Sequence, residues 1–116
     1  MSSVIIYHNP RCGTSRNTLA LLQEAGISPQ VVEYLKEPLD KAGIQNILNK
    51  AGITAKELIR SKETLFSELN LGADNVTEEQ LIDAMVAHPI LMNRPVVITE
   101  KGARLCRPFE LVKEIL

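Results

Sequence analysis

The strongest constraint on this chain is its opening succession of extended run, turn, helix and second extended run. Val4-Ile5-Ile6-Tyr7 is β-branched and aromatic and is stopped by Asn9-Pro10, which predicts a buried strand ending in a turn. Over residues 14–25, Leu19, Leu22 and Ala25 mark the apolar side of a helix, and Gly26 is placed to end it. Residues 30–35 read as extended again. A strand, a helix and a strand in this order cross over right-handed, which makes the two strands parallel and the chain an α/β protein.

The middle of the chain, residues 40–91, reads as helical in several pieces. Ile44, Ile47, Leu48 and Ala51 form a stripe that ends at Gly52. Thr54-Ala55-Lys56-Glu57 and Thr77-Glu78-Glu79-Gln80 both fit the capping box, so further helices start at each. His88-Pro89 closes the last of them. Beyond it, Val96-Val97-Ile98-Thr99 and Ala103-Arg104-Leu105-Cys106 flank Glu100-Lys101-Gly102, a hairpin with Gly at its turn. Pro108 suits the first position of a final helix running to Leu116. This order is that of a thioredoxin-like fold, a mixed four-stranded sheet with a helical insert at about 40–91 between strands 2 and 3. No repeat or linker divides the 116 residues, which are expected to form one domain, 1–116.

Charge narrows the function. Thirteen basic residues face fourteen acidic ones, a balance without the positive footprint that nucleic acid or an anionic membrane selects. An anion bound here must be held by a few focused cations. No apolar run approaches the ~20 residues of a membrane span. The start MSSVIIYHN lacks the basic and long apolar regions of a secretory signal. Two cysteines, Cys12 and Cys106, make no disulfide framework, so a reducing, cytoplasmic setting is expected.

Cys12 lies between strand one and helix one, where α/β sheets place ligands. A helix start offers free N–H groups and a positive dipole end, which favour thiolate over thiol and cradle oxyanions. A free cysteine is often only a small buried hydrophobe. The polar setting Pro10-Arg11-Cys12-Gly13-Thr14 favours a reactive thiol instead. His8 could stabilise that thiolate or simply cap the strand. Tyrosine-phosphatase loops need an Arg six residues after the Cys, and position 18 is Thr; a thioredoxin pair needs a second Cys at position 15, which is Ser. Cys12 therefore requires an external thiol to resolve any intermediate. Cys106, in a strand-like segment, fits an inert buried thiol better than an internal partner.

Arg60, Arg94 and Arg107 interrupt apolar or Pro-bounded stretches. Guanidinium groups grip tetrahedral oxyanions bidentately and stay charged, so three of them beside a thiolate would suit a trianion such as arsenate. Taken singly, each also fits a solvated or Glu-paired surface residue, as do Arg11, Arg16 and Arg104. Pro95 stands where thioredoxin-like folds hold a cis-proline against the active cysteine.

The segment Tyr7-His8-Asn9-Pro10-Arg11-Cys12-Gly13-Thr14-Ser15-Arg16-Asn17-Thr18-Leu19 closely resembles the active-site segment of the glutaredoxin-coupled arsenate reductase family. So do Gln80-Leu81-Ile82-Asp83, His88-Pro89-Ile90-Leu91-Met92-Asn93-Arg94-Pro95-Val96-Val97 and Arg104-Leu105-Cys106-Arg107-Pro108. The similarity runs in order along essentially the whole chain. It implies that Cys12 is the catalytic thiol, activated by His8 with Ser15 and the helix start assisting, and that Arg60, Arg94 and Arg107 bind the oxyanion. It further implies attack on arsenate, addition of glutathione as co-substrate, and reduction of a mixed disulfide by glutaredoxin as transient partner. No metal or bound cofactor is expected. The chain ends at Leu116, directly after the last predicted helix and short of the well-studied members. Two other readings share the fold. A Spx-like regulator that docks a transcription partner would carry Cys-x-x-Cys, which Ser15 rules against. A related glutathione-dependent thiol oxidoreductase would not need all three arginines.

Overall fold

A computed structural model describes residues 3–116 and divides them into two compact units, one running up to Glu37 and resuming at Arg94–Leu116, the other Pro38–Asn93. The first carries the sheet. Strands β1 (Ile5–His8), β2 (Gln30–Glu33), β3 (Val96–Thr99) and β4 (Gly102–Leu105) lie in the order β2-β1-β3-β4. β1 and β2 are parallel, with Ile6 beside Val31 and His8 beside Glu33. β3 runs antiparallel to both β1 and β4. The mixed sheet and element order are those of the thioredoxin-like fold.

β1 starts and ends one residue later than the apolar run suggests, and its burial alternates. Ile6 and His8 therefore share the better-covered face, which the two-residue period of a strand requires. Helix α1 (Gly13–Glu24) ends as expected. Gly26 adopts φ +80°, and the N–H groups of Ala25, Gly26 and Ile27 return to the carbonyls of Leu21, Gln23 and Leu22. Its buried face differs from the one expected. Ser15, Thr18 and Leu22 are buried, Leu19 is half-buried and Ala25 is exposed. Two polar residues on an inward face are a sign of a site.

Ile6, Leu22, Val97, Cys106, Val112 and Ile115 form one core cluster, with Leu19, Leu21 and Ile27 packed around it. Fully burying a side chain such as Leu22 stabilises the fold by roughly 1.5–3 kcal/mol. The hairpin loop is only Glu100–Lys101. Gly102 pairs with Thr99 as the first residue of β4 at φ +142°, and Cys106 falls one residue beyond the strand. The C-terminal segment Phe109–Ile115 is a 3₁₀ helix, not an α-helix, with Pro108 as its N-cap. Phe109, Val112 and Ile115 recur every third residue, so a three-residue turn points all of them inward.

In the second unit α2 (Lys41–Ala51), α3 (Ala55–Leu58), α4 (Thr64–Glu68) and α5 (Glu78–Ala87) follow in sequence. Asp40 Oδ1 caps α2 by accepting the Gly43 N–H at 2.8 Å, and Gly52 closes it at φ +66°. Both capping boxes form, Thr54 with Glu57 and Thr77 with Gln80. Pro89 breaks α5 into a 3₁₀ turn, Pro89–Leu91. The strip after that turn runs beside the end of α3. The Arg60 N–H donates to the Leu91 carbonyl at 2.7 Å, and the Asn93 N–H to the Leu58 carbonyl at 2.9 Å. Among the described residues no helix is long and apolar enough to cross a membrane.

Candidate active site

β1 delivers the chain to a tight turn. The Cys12 N–H donates to the Asn9 carbonyl at 3.0 Å, and the Cys12 carbonyl accepts the Arg16 N–H at 3.0 Å as the first bond of α1. Cys12 is thus the helix N-cap, in extended conformation at φ −92° and ψ 123°. Its sulfur lies at the end of the helix where unpaired N–H groups and the positive dipole terminus favour an anion.

Cations complete that environment. Arg107 Nη1 donates to Cys12 Sγ at 3.6 Å and to the Arg94 carbonyl at 3.0 Å, so one donor is fixed between sulfur and backbone. Burial pushes the Cys12 thiol up. The Ser15 N–H, the Arg94 and Arg107 guanidinium groups and the charge of Arg94 push it down harder, and it settles at about 7 against an ordinary 9.0. About half of it is therefore thiolate at neutral pH.

His8 meets Ser15 instead of the sulfur. Its Nδ1 lies 2.6 Å from Ser15 Oγ, which also accepts the Asn9 N–H at 3.1 Å. Burial lowers the His8 pKa; Glu33 opposes and Arg16 adds to the fall, so the ring is neutral at pH 7. Ser15 Oγ thus joins the Asn9 backbone and the His8 ring in one buried pair of hydrogen bonds. The imidazole orients the serine, and the serine's N–H faces the thiolate.

Asn9 is the residue that sequence pattern does not single out. It is buried, its Oδ1 accepts the Arg11 N–H at 3.0 Å, its carbonyl accepts Cys12, and its N–H meets Ser15. Only the Asn-Pro pair hints at this role, since asparagine bonds a backbone two residues on. Arg16 adds a clamp from Nη1 to the Pro10 carbonyl at 3.0 Å.

Pro95 directly precedes β3 in a cis peptide after Arg94, and the Arg107–Pro108 bond is cis as well. Arg104 pairs with Glu114 at 3.0 Å on the surface. Arg60 belongs to the helical unit, where its Nε lies 3.4 Å from Glu63 Oε2 and its Nη1 donates to Asn93 Oδ1 at 3.3 Å. Cys106 is fully buried, with Sγ donating to the Arg104 carbonyl at 3.5 Å; burial pushes its thiol up to about 12, which keeps it protonated. The structure thus gathers Cys12, Ser15, His8, Arg94 and Arg107. Among the described residues no cluster of three or more His, Cys, Asp or Glu could hold a metal ion.

This arrangement holds a nucleophilic sulfur beside two guanidinium groups, the equipment for attack on an oxyanion. Comparison with known proteins points the same way. The chain matches the ArsC family over residues 7–115. An arsenate reductase of Rhizobium meliloti (strain 1021) is 54% identical over 114 residues, covering 98% of this chain and 81% of that protein. An Escherichia coli arsenate reductase is 47% identical over 116 residues, covering 100% and 82%. The solved structure of an arsenate reductase from Vibrio cholerae superposes with a TM-score of 0.95 at 43% identity, covering 98% of each chain.

Proposed function

The chain belongs to the ArsC family, and from that premise we propose that it reduces arsenate to arsenite with Cys12 as the nucleophile. One observation carries the reading: a thiol at about 7 sits on a helix start with Arg107 3.6 Å from its sulfur and Arg94 beside it.

Arsenate arrives as an anion, and Arg94 and Arg107 neutralise it as the thiolate approaches. The Cys12 thiolate attacks arsenic(V). A sulfur–arsenic bond forms and one arsenate oxygen leaves as water after protonation, with no change of oxidation state. The thiolate of glutathione then attacks Cys12 Sγ. A disulfide forms between them, the electron pair of the sulfur–arsenic bond stays on arsenic, and arsenite departs as arsenic(III). Glutaredoxin returns Cys12 to the thiol by exchange at that disulfide. Ser15 and His8 serve as positioning residues for the thiolate, and Arg60 is added to the oxyanion-binding set by resemblance to the family. Cys106, protonated and buried, takes no part. A dithiol switch is disfavoured because Ser15 occupies the second thiol's place and is committed to His8 and Asn9.

The test is arsenite production by purified protein with arsenate, glutathione and glutaredoxin. Turnover is expected, and Cys12→Ser is expected to abolish it while leaving the fold intact. Turnover retained in the variant would remove Cys12 as nucleophile, and none with the unaltered protein would remove arsenate as substrate.

A further inference from the structure

The proposed reaction consumes two anions in turn, and the arginines beside the sulfur can serve only one of them at a time. The second needs cations of its own within reach of Cys12. A cavity of about 290 Å³ borders the same turn that carries the nucleophile. His8, Asn9, Pro10 and Arg11 line it, and the turn that follows His8 closes on Cys12 through the Cys12 N–H to Asn9 carbonyl bond. Glu33, Leu35 and Lys36, at and after the end of β2, form its other wall. Neither Arg94 nor Arg107 lines it.

The charges in this cavity are loosely held. The Arg11 guanidinium has no hydrogen bond or ion pair among the described residues. Lys36 and Glu33 face each other at 3.6 Å with side chains 79% and 39% exposed, a loose pair that a ligand can part at little cost. Leu35 is 40% exposed, an apolar side chain left uncovered between them. Two cations, one carboxylate and an apolar contact match a small zwitterion with two carboxylates and one ammonium. Glutathione has that pattern, with its thiol on the middle residue. The cavity lies at the lower end of the roughly 300–1,000 Å³ range of ligand pockets. Cys12 itself does not line the cavity and follows the lining residue Arg11 directly in the chain.

We propose that this cavity is the glutathione subsite, with Arg11 and Lys36 taking the two carboxylates and Glu33 the ammonium, so that the thiol is presented to Cys12. The proposal rests on the reading that glutathione is the co-substrate.

It is tested without arsenate, by thiol–disulfide exchange on the intact protein. Reduced protein is mixed with oxidised glutathione or with 2-hydroxyethyl disulfide, which carries no charge. In either case the Cys12 thiolate attacks one sulfur, the disulfide bond breaks, and the other half leaves as its thiolate. The ratio of the two rates isolates recognition of the glutathionyl group from reactivity of the thiolate. Arg11→Ala and Lys36→Ala are each expected to lower that ratio by about fivefold, the upper range for a single exposed ion pair, and the double variant by more. High salt is expected to shrink the ratio of the unaltered protein toward that of the double variant. An unchanged ratio would overturn the proposal. So would an equal fall in both rates, because Arg11 would then act on the thiolate and not on glutathione. Failure here leaves arsenate reduction standing, and absence of arsenite production with an intact ratio would refute the reductase reading while keeping the subsite.

Discussion

Replacing Arg107 with alanine tests how the thiolate of Cys12 is made. In the structure the sulfur is held at about 7 against an ordinary 9.0, although burial works the other way. Three groups share that work: the Ser15 N–H, Arg94 and Arg107. Together they must supply more than the net fall, so losing Arg107 should raise the midpoint by about one pH unit, the low end for an opposite charge in contact. The sign follows from charge, since removing a cation disfavours the anion. At pH 7 the thiolate fraction falls from about one half to about one tenth. Its intrinsic nucleophilicity rises roughly threefold, because a more basic thiolate attacks faster with a Brønsted slope of about 0.4–0.5. Exchange with neutral 2-hydroxyethyl disulfide should therefore be about twofold slower than in the unaltered protein at pH 7 and about threefold faster above pH 9. The two pH–rate curves must cross. Thiolate ultraviolet absorbance gives the midpoint independently. Coincident midpoints and curves that do not cross would refute the assignment of Arg107 as a thiolate partner.

Other outcomes follow from the same geometry. Arg94→Lys keeps the charge and loses the planar fork, so kcat/KM for arsenate should fall roughly tenfold; unchanged kinetics would take Arg94 out of the site. Asn9→Ala removes the acceptor for the Arg11 N–H and should raise the Cys12 midpoint, whereas Asn9→Ser, able to make a similar turn bond, should restore part of it. Equal midpoints in both variants would make Asn9 a passive residue. Thr77→Ala breaks the capping box of α5 and should cost about 1 kcal/mol in denaturant unfolding; no measurable loss would mean that the cap carries no weight.

What could be read from the chain is what short-range chemistry decides. Thr54-Ala55-Lys56-Glu57 and Thr77-Glu78-Glu79-Gln80 predict helix starts because both halves of a capping box lie within one turn, and both form. Gly26 ends α1 for the same local reason. Cys12 was legible as a site because strand, turn and helix follow one another without interruption. The pairing of β1 with β3 is different. It joins Tyr7 to Val96 across most of the chain, and no local pattern encodes such a partner. The last helix was legible in place and not in type, since Phe109, Val112 and Ile115 serve a three-residue turn as well as an α-helix. Asn9 was hidden because its role runs through one side-chain carbonyl and its own backbone. The resemblance of His8 to a catalytic residue left open what it touches, and in the fold it meets Ser15. Arg60 shows the reverse case: family resemblance implies an oxyanion ligand, while its side chain meets Glu63 and Asn93.

The most direct test of the central claim is peptide mass spectrometry of the protein incubated with glutathione, with and without arsenate, in the absence of glutaredoxin. The mechanism predicts an arsenate-dependent glutathione disulfide on Cys12, matched by released arsenite, with Cys106 unmodified. A protein that releases arsenite without ever carrying that disulfide, or that carries it equally without arsenate, would contradict it.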